Sequence, residues 1–97
     1  TLSPKERRQR RATMAAELSP LKKRSQELES KIAALEVDQE SFEAKMADPE
    51  FFKTSDAAEK MRQYDRNKAT LDKHYETWSQ VSDQLAEKEA ALENTVN

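Results

Sequence analysis

Ninety-seven residues allow one domain at most. With 35% hydrophobic and 37% charged residues, the chain is too polar for a thick globular core but suits a seam between two helices. Gly and Cys are both absent. That excludes a glycine loop cradling phosphates and a dinucleotide fingerprint, and it excludes a disulfide framework or thiolate metal site. No stretch approaches about eighteen apolar residues and no signal pattern opens the chain, so the expectation is a cytoplasmic, non-catalytic segment with no membrane span. From a start at Thr1 instead of Met, the expectation is a piece of something larger. The net charge of −2 is uneven. Residues 1–24 set Lys5, Arg7, Arg8, Arg10, Arg11, Lys22, Lys23 and Arg24 against only Glu6 and Glu17. One end of the chain therefore suits an anionic partner.

In chain order, Ser3-Pro4-Lys5-Glu6 is a helix start: a capping serine, a proline at the first helical position and a glutamate to complete the capping box. An apolar repeat then steps by four and three through Met14, Leu18, Leu21, Ser25, Leu28, Ile32, Leu35, Gln39, Phe42 and Met46. Pro20 lies inside it. The ring removes one backbone donor and collides with the carbonyl of Ala16, which predicts a kink or brief break with Ser19 capping the continuation. Asp48-Pro49-Glu50 stops the repeat and predicts a short helical turn carrying Phe51 and Phe52. Asp56 and Glu59 form a second candidate capping box. The repeat resumes as Met61, Tyr64, Lys68, Leu71, Tyr75, Trp78, Ser82, Leu85, Glu89, Leu92 and Val96.

Sustained heptads of this kind bury one seam against a partner helix. Two such runs joined by a short turn predict an all-α fold, an antiparallel two-helix coiled-coil hairpin. It divides into a basic first helix over 4–19, a first arm over 20–47, a tip turn over 48–55 and a second arm over 56–94, together one coiled-coil domain spanning 1–97. The same seam also serves an extended or swapped dimer, although a monomeric hairpin is the simpler arrangement. One antiparallel register sets Met46 by Ala57, Phe42 by Met61, Ile32 by Leu71, Leu28 by Tyr75 and Leu18 by Leu85. It also sets Trp78 over the small Ser25, and Gln39 against Tyr64, a polar pair able to satisfy itself. Below Met14 the seam turns polar, with Arg7 and Arg11 meeting Val96 and Leu92.

The run Lys5, Arg7, Arg8, Arg10, Arg11 is the sharpest candidate site. Five bases on one stretch of helix match the phosphates of a duplex or structured RNA, and Lys22, Lys23 and Arg24 extend the patch. Nothing here encodes base readout, so the contact would be phosphate-directed. The competing arrangement pairs these arginines with Glu87, Glu89 and Glu93. Phe51 and Phe52 are the second candidate: one closes the end of the seam while the other packs on the start of the second arm, or the pair forms a contact tip. Trp78 and Tyr75 are seam residues by position. Lys68, also on the seam, is expected to lay its stem along the groove with its ammonium in water. His74 has no second ligand at helical spacing.

The ordered set Leu2-Ser3-x-Lys5, Arg10-Arg11-Ala12, Ser19-Pro20-Leu21-Lys22-Lys23, Ala47-Asp48-Pro49-Glu50-Phe51-Phe52 and Tyr75-Glu76-x-Trp78 resembles the C-terminal coiled-coil domain of the ABC-F ATPases. Its opening is similar to Uup-type members, associated with DNA, and its proline step to YheS-type members, tied to the ribosome. The resemblance implies a parent ATPase whose two upstream cassettes bind ATP and Mg, with no cofactor in this segment. It implies nucleic-acid contact, DNA or ribosomal RNA, at Lys5, Arg10, Arg11, Lys22 and Lys23; Arg7, Arg8 and Arg24 join by charge alone. The Asp-Pro turn with aromatics is also similar to the helical hairpin of bacterial peptide chain release factors and to the C-terminal arm of valyl-tRNA synthetases. A purely structural protein-interaction coiled coil is the alternative of a different class.

Overall fold

The computed structural model describes the backbone of residues 1–96 and the side chains of residues 1–95. The side chain of Val96, placed on the seam by the heptad, lies outside the described residues. Two helices, α1 (Pro4–Met46) and α2 (Ala57–Val96), flank a 3₁₀ turn (Phe51–Lys53). They form an antiparallel helical hairpin, with no strand among the described residues.

The capping signal at the start of α1 is realised. The Glu6 backbone N–H donates to Ser3 Oγ at 3.2 Å, and the Ser3 hydroxyl donates to Glu6 Oε1 at 3.0 Å. The Arg7 N–H donates to the Ser3 carbonyl at 2.9 Å. Pro20 does not interrupt the helix. It sits inside α1, and Ser19 starts no second helix, so of the expected kink or brief break the break is absent. An interior proline costs about 3 kcal/mol. Here Leu18 is buried just before it and Leu21 is half-buried just after, in phase on one face. Burial on both sides holds the helix through the defect. Pro20 and Ala16 are themselves exposed, so water can reach the carbonyl left without its donor.

After Met46 the chain reverses without any residue of positive φ, which is why a chain free of glycine can make the turn. Asp48 Oδ1 accepts from the Glu50 N–H at 3.0 Å, and the Asp48 carbonyl accepts from the Phe51 N–H at 3.0 Å. Thr54 closes the 3₁₀ turn, its hydroxyl donating to the Phe51 carbonyl at 2.6 Å. Phe51 is buried. Phe52 stands edge-to-face against it, ring centroids 5.0 Å apart, and is 62% exposed. At the start of α2, Asp56 pairs with Lys60 at 2.9 Å. Glu59 turns forward to Arg62 and Arg66 instead of back to Asp56, because two guanidiniums on its own face outcompete one backbone N–H. These partners hold both carboxyls below their usual range, Asp56 through Lys60 first and Glu59 through Arg62 first.

The contacts group into two compact units: residues 28–77, with the tip, and residues 1–27 together with 78–97. In the unit holding the tip, α1 buries Leu28, Ile32 and Gln39 and half-buries Leu35, Phe42 and Met46. In the other it buries Leu18 and half-buries Met14, Leu21 and Ser25. Every α1 position named by the heptad is therefore on the buried stripe.

On α2 the stripe differs from the expected one in a systematic way. Met61, Tyr64, Leu71, Trp78, Leu85 and Leu92 are on it, half of the heptad. Most of the other half moves back by one residue, but Lys88, the residue before Glu89, is exposed like Glu89 itself. Asn67 and Val81 are buried and His74 and Thr95 half-buried, whereas Lys68, Tyr75 and Glu89 are exposed and Ser82 only half-buried. The physical reason lies in what each phase would bury. The expected phase lays the Lys68 stem and the Glu89 carboxylate along the groove. The observed one removes Val81 from water and leaves Lys68, Lys88 and Glu89 solvated. Tyr75, 46% exposed, gains a partner outside the seam: its phenol donates to Glu36 Oε1 at 2.7 Å. The buried Asn67 Oδ1 accepts from Gln63 Nε2 at 2.9 Å, and Gln63 in turn is held by Arg66.

Gln39 faces Tyr64 as the register requires. The contact is to the backbone, with Nε2 donating to the Tyr64 carbonyl at 3.0 Å. The other end of the amide, Oε1, is buried without a partner, although the residue is only 7% exposed. The Tyr64 phenol donates to Glu43 Oε1 at 2.9 Å. Both tyrosine–carboxylate bonds raise the phenol pKa above 10.0, in each case chiefly through the hydrogen bond to the glutamate.

Leu28 is 1% exposed, and Leu28→Ala is expected to cost about 2–5 kcal/mol in denaturant unfolding. Lys68→Ala, off the stripe, should stay within about 0.5 kcal/mol. Gln39→Leu removes a buried carbonyl without a partner, a group that costs about 1–3 kcal/mol. The variant should melt no lower than the parent, and a lower midpoint by calorimetry would contradict this. The raised phenols are stabilising below pH 10.0, and that contribution is lost as pH rises through their raised values. Since the chain has two tyrosines, the midpoint of tyrosinate absorbance should lie higher in the folded protein than in denaturant.

Candidate nucleic-acid interface

The eight bases of the candidate patch all lie on α1, in the unit formed by residues 1–27 and 78–97. The capped first turn of α1 carries them as one helix instead of a frayed end. Lys5, Arg7, Arg8, Arg10, Lys22, Lys23 and Arg24 are exposed, and Arg11 is half-buried. Arg7 and Arg11 continue the three-four spacing that leads into Met14 and Leu18. Below Met14 the heptad positions are arginines, of which Arg11 is half-buried and Arg7 exposed.

Three of the eight are brought together. Arg7, Arg8 and Arg11, with Pro4 and Thr95, line a surface notch of about 320 Å³. Thr95 is the residue that sequence reasoning missed, because the heptad placed Val96 there. Part of the signal was present: Lys68 at a supposed seam position, against the uncharged Asn67 before it, already argued for the phase one residue earlier. Thr95 is held in place by its hydroxyl, which donates to the Ala91 carbonyl at 2.8 Å and lies 3.5 Å from Met14 Sδ.

The expected competition from the acidic end of α2 does not take this form. Among the described residues, no ion pair joins Lys5, Arg7, Arg8, Arg10 or Arg11 to Glu87, Glu89 or Glu93. The ion pair between α1 and α2 in this unit is Lys88 with Glu17, at 3.0 Å. Lys22, Lys23 and Arg24 are consecutive and so point around the helix on different sides. They add charge without forming one surface with the notch.

A second candidate lies at the tip. A shallow groove of about 600 Å³ runs past Ala44, Lys45, Asp48, Phe51 and Lys60, close in sequence to the exposed Phe52. Its charges are mixed, which suits phosphate less well than the notch does. Among the described residues no group of acidic, histidine or cysteine side chains is arranged to hold a metal ion, and no helix is long and apolar enough to cross a membrane.

Residues 17–83 match the family model of the ABC transporter C-terminal domain. The chain belongs to that family. No curated protein and no solved structure matches it. The match covers the hairpin from Glu17 through the tip to Asp83, including Lys22, Lys23 and Arg24, and leaves Lys5 to Arg11 outside. Membership in the ABC transporter C-terminal domain family therefore rests on the paired helices and the Asp-Pro turn.

Because Ser3 holds the first turn of α1 through its hydroxyl, Ser3→Ala is expected to cost about 0.5–2 kcal/mol of local helix stability. Amide exchange should quicken at the first residues of α1 and stay unchanged around Leu28. Unchanged exchange at Glu6 and Arg7 would show that the cap does not hold the basic segment.

Proposed function

We propose that the chain is the C-terminal coiled-coil domain of a cytoplasmic ABC-F ATPase and contacts nucleic acid, DNA or ribosomal RNA, through its basic first helical turns. ATP and Mg would be bound by cassettes upstream, and this domain would bind and position without catalysing. Family membership supports the ABC part of the reading. The finer assignment is supported by the resemblance of the basic opening and proline step to ABC-F members. The observation that carries nucleic-acid contact is the set of exposed cations on one capped helix that no carboxylate of α2 neutralises among the described residues. Contact of this kind is phosphate-directed, tolerant of sequence and sensitive to salt.

The test is anisotropy of a labelled duplex and of a structured ribosomal RNA fragment at about 50 mM salt, where phosphate contacts are strongest. Binding is expected, with log affinity falling against log salt at a slope near −3 or steeper if four cations engage B-form DNA. Reversing charge at Arg7, Arg8, Arg10 and Arg11 should abolish binding and leave helicity intact. Absence of binding to both probes would favour a structural interaction module, for which the exposed Phe52 at the tip is the supporting feature.

A further inference from the structure

The geometry points to an oxyanion site in the notch formed by Arg7, Arg8 and Arg11, built to hold one phosphate group and not merely to add to a diffuse basic field. The proposal rests on the nucleic-acid reading for its biological ligand, but its chemistry stands on the notch alone. Three arginines line one concavity with Pro4 and Thr95. Arg11 is half-buried there. Among the described residues, none of the three has a carboxylate partner, and the nearest acid on their own helix, Glu6, accepts from Ser3.

Such an arrangement is unfavourable when empty. Like charges within one small concavity repel, and a partly desolvated guanidinium needs a charged acceptor to offset its lost water. A carboxylate of the protein would resolve this, yet Glu17 is taken by Lys88. A phosphate oxyanion resolves it better, because guanidinium forks match phosphate oxygens in bidentate pairs. The Thr95 hydroxyl at the rim adds a polar group whose proton is now directed to Ala91. The remaining bases differ. Lys5, Arg10 and Lys22 to Arg24 do not line the notch and stand exposed, so they supply screened, non-directional attraction only.

The phosphate can come from a nucleic-acid backbone or be free in solution, and inorganic pyrophosphate separates the two. It should bind the protein at low salt, shift the arginine Nε–Hε NMR signals of Arg7, Arg8 and Arg11 ahead of those of Arg10 and Arg24, and compete with a bound duplex. Arg8→Gln and Arg11→Gln should each weaken pyrophosphate binding by about tenfold or more. Lys31→Gln, which removes the same charge elsewhere on α1, should not. Circular dichroism confirms that each variant keeps its helix. Equal weakening in all three variants, or shifts spread evenly over the arginines, overturns the site. If nucleic acid binds but pyrophosphate neither binds nor competes, the site falls while the nucleic-acid reading stands. If pyrophosphate binds at these arginines and no nucleic acid does, that reading falls and the oxyanion site stands.

Discussion

Two helices lying side by side can take out of water only the stripe each turns to the other. There is no second layer to hide a misplaced side chain. This single seam governs the rest of the molecule. A residue is either on the stripe, where it needs an apolar body or a hydrogen-bond partner, or it is solvated and free to carry charge. The composition follows from that geometry: a chain with more charged than hydrophobic residues still has enough of the latter for one stripe on each helix.

The stripe is not uniformly apolar. Gln39 and Asn67 are buried within it, and the buried Asn67 is reached through Gln63 and Arg66, which connect it outward to Glu59. Gln39 engages the backbone of α2 with one end of its amide and leaves the other without a partner. On the outer edges of the seam in the same unit, Tyr64 and Tyr75 reach across to Glu43 and Glu36. These bonds fix which residues of the two helices stand level. Apolar contacts alone tolerate a slip of one heptad, whereas a phenol and its carboxylate do not. The hairpin is thereby given a register by a few polar contacts and its stability by the leucines and isoleucine between them.

At the end away from the turn, the seam changes character. Seam positions that hold Met14 and Leu18 give way to Arg11 and Arg7, and the notch there is lined by cations. The family match begins after this segment, at residue 17. The paired helices position the capped arginine turns.

The sequence by itself determined the helical class, the turn at Asp48-Pro49, the Ser3 cap and the whole buried stripe of α1, because the three-four spacing there is filled by apolar residues that leave no rival phase. It determined the basic patch as a list of residues. It did not determine the phase of α2, where two stripes one residue apart are almost equally apolar. Lys68, Tyr75 and Glu89 were weighed by position in a heptad, and only packing against α1 shows that solvating two charges and burying Val81 outweighs burying one phenol. It did not determine that α1 runs through Pro20, since a local steric rule cannot include the burial of Leu18 and Leu21 that offsets it. Nor did it show which arginines converge. That depends on where the last turns of α2 bring Thr95, and the neighbours of a side chain across a seam are set by tertiary packing and not by spacing along one helix.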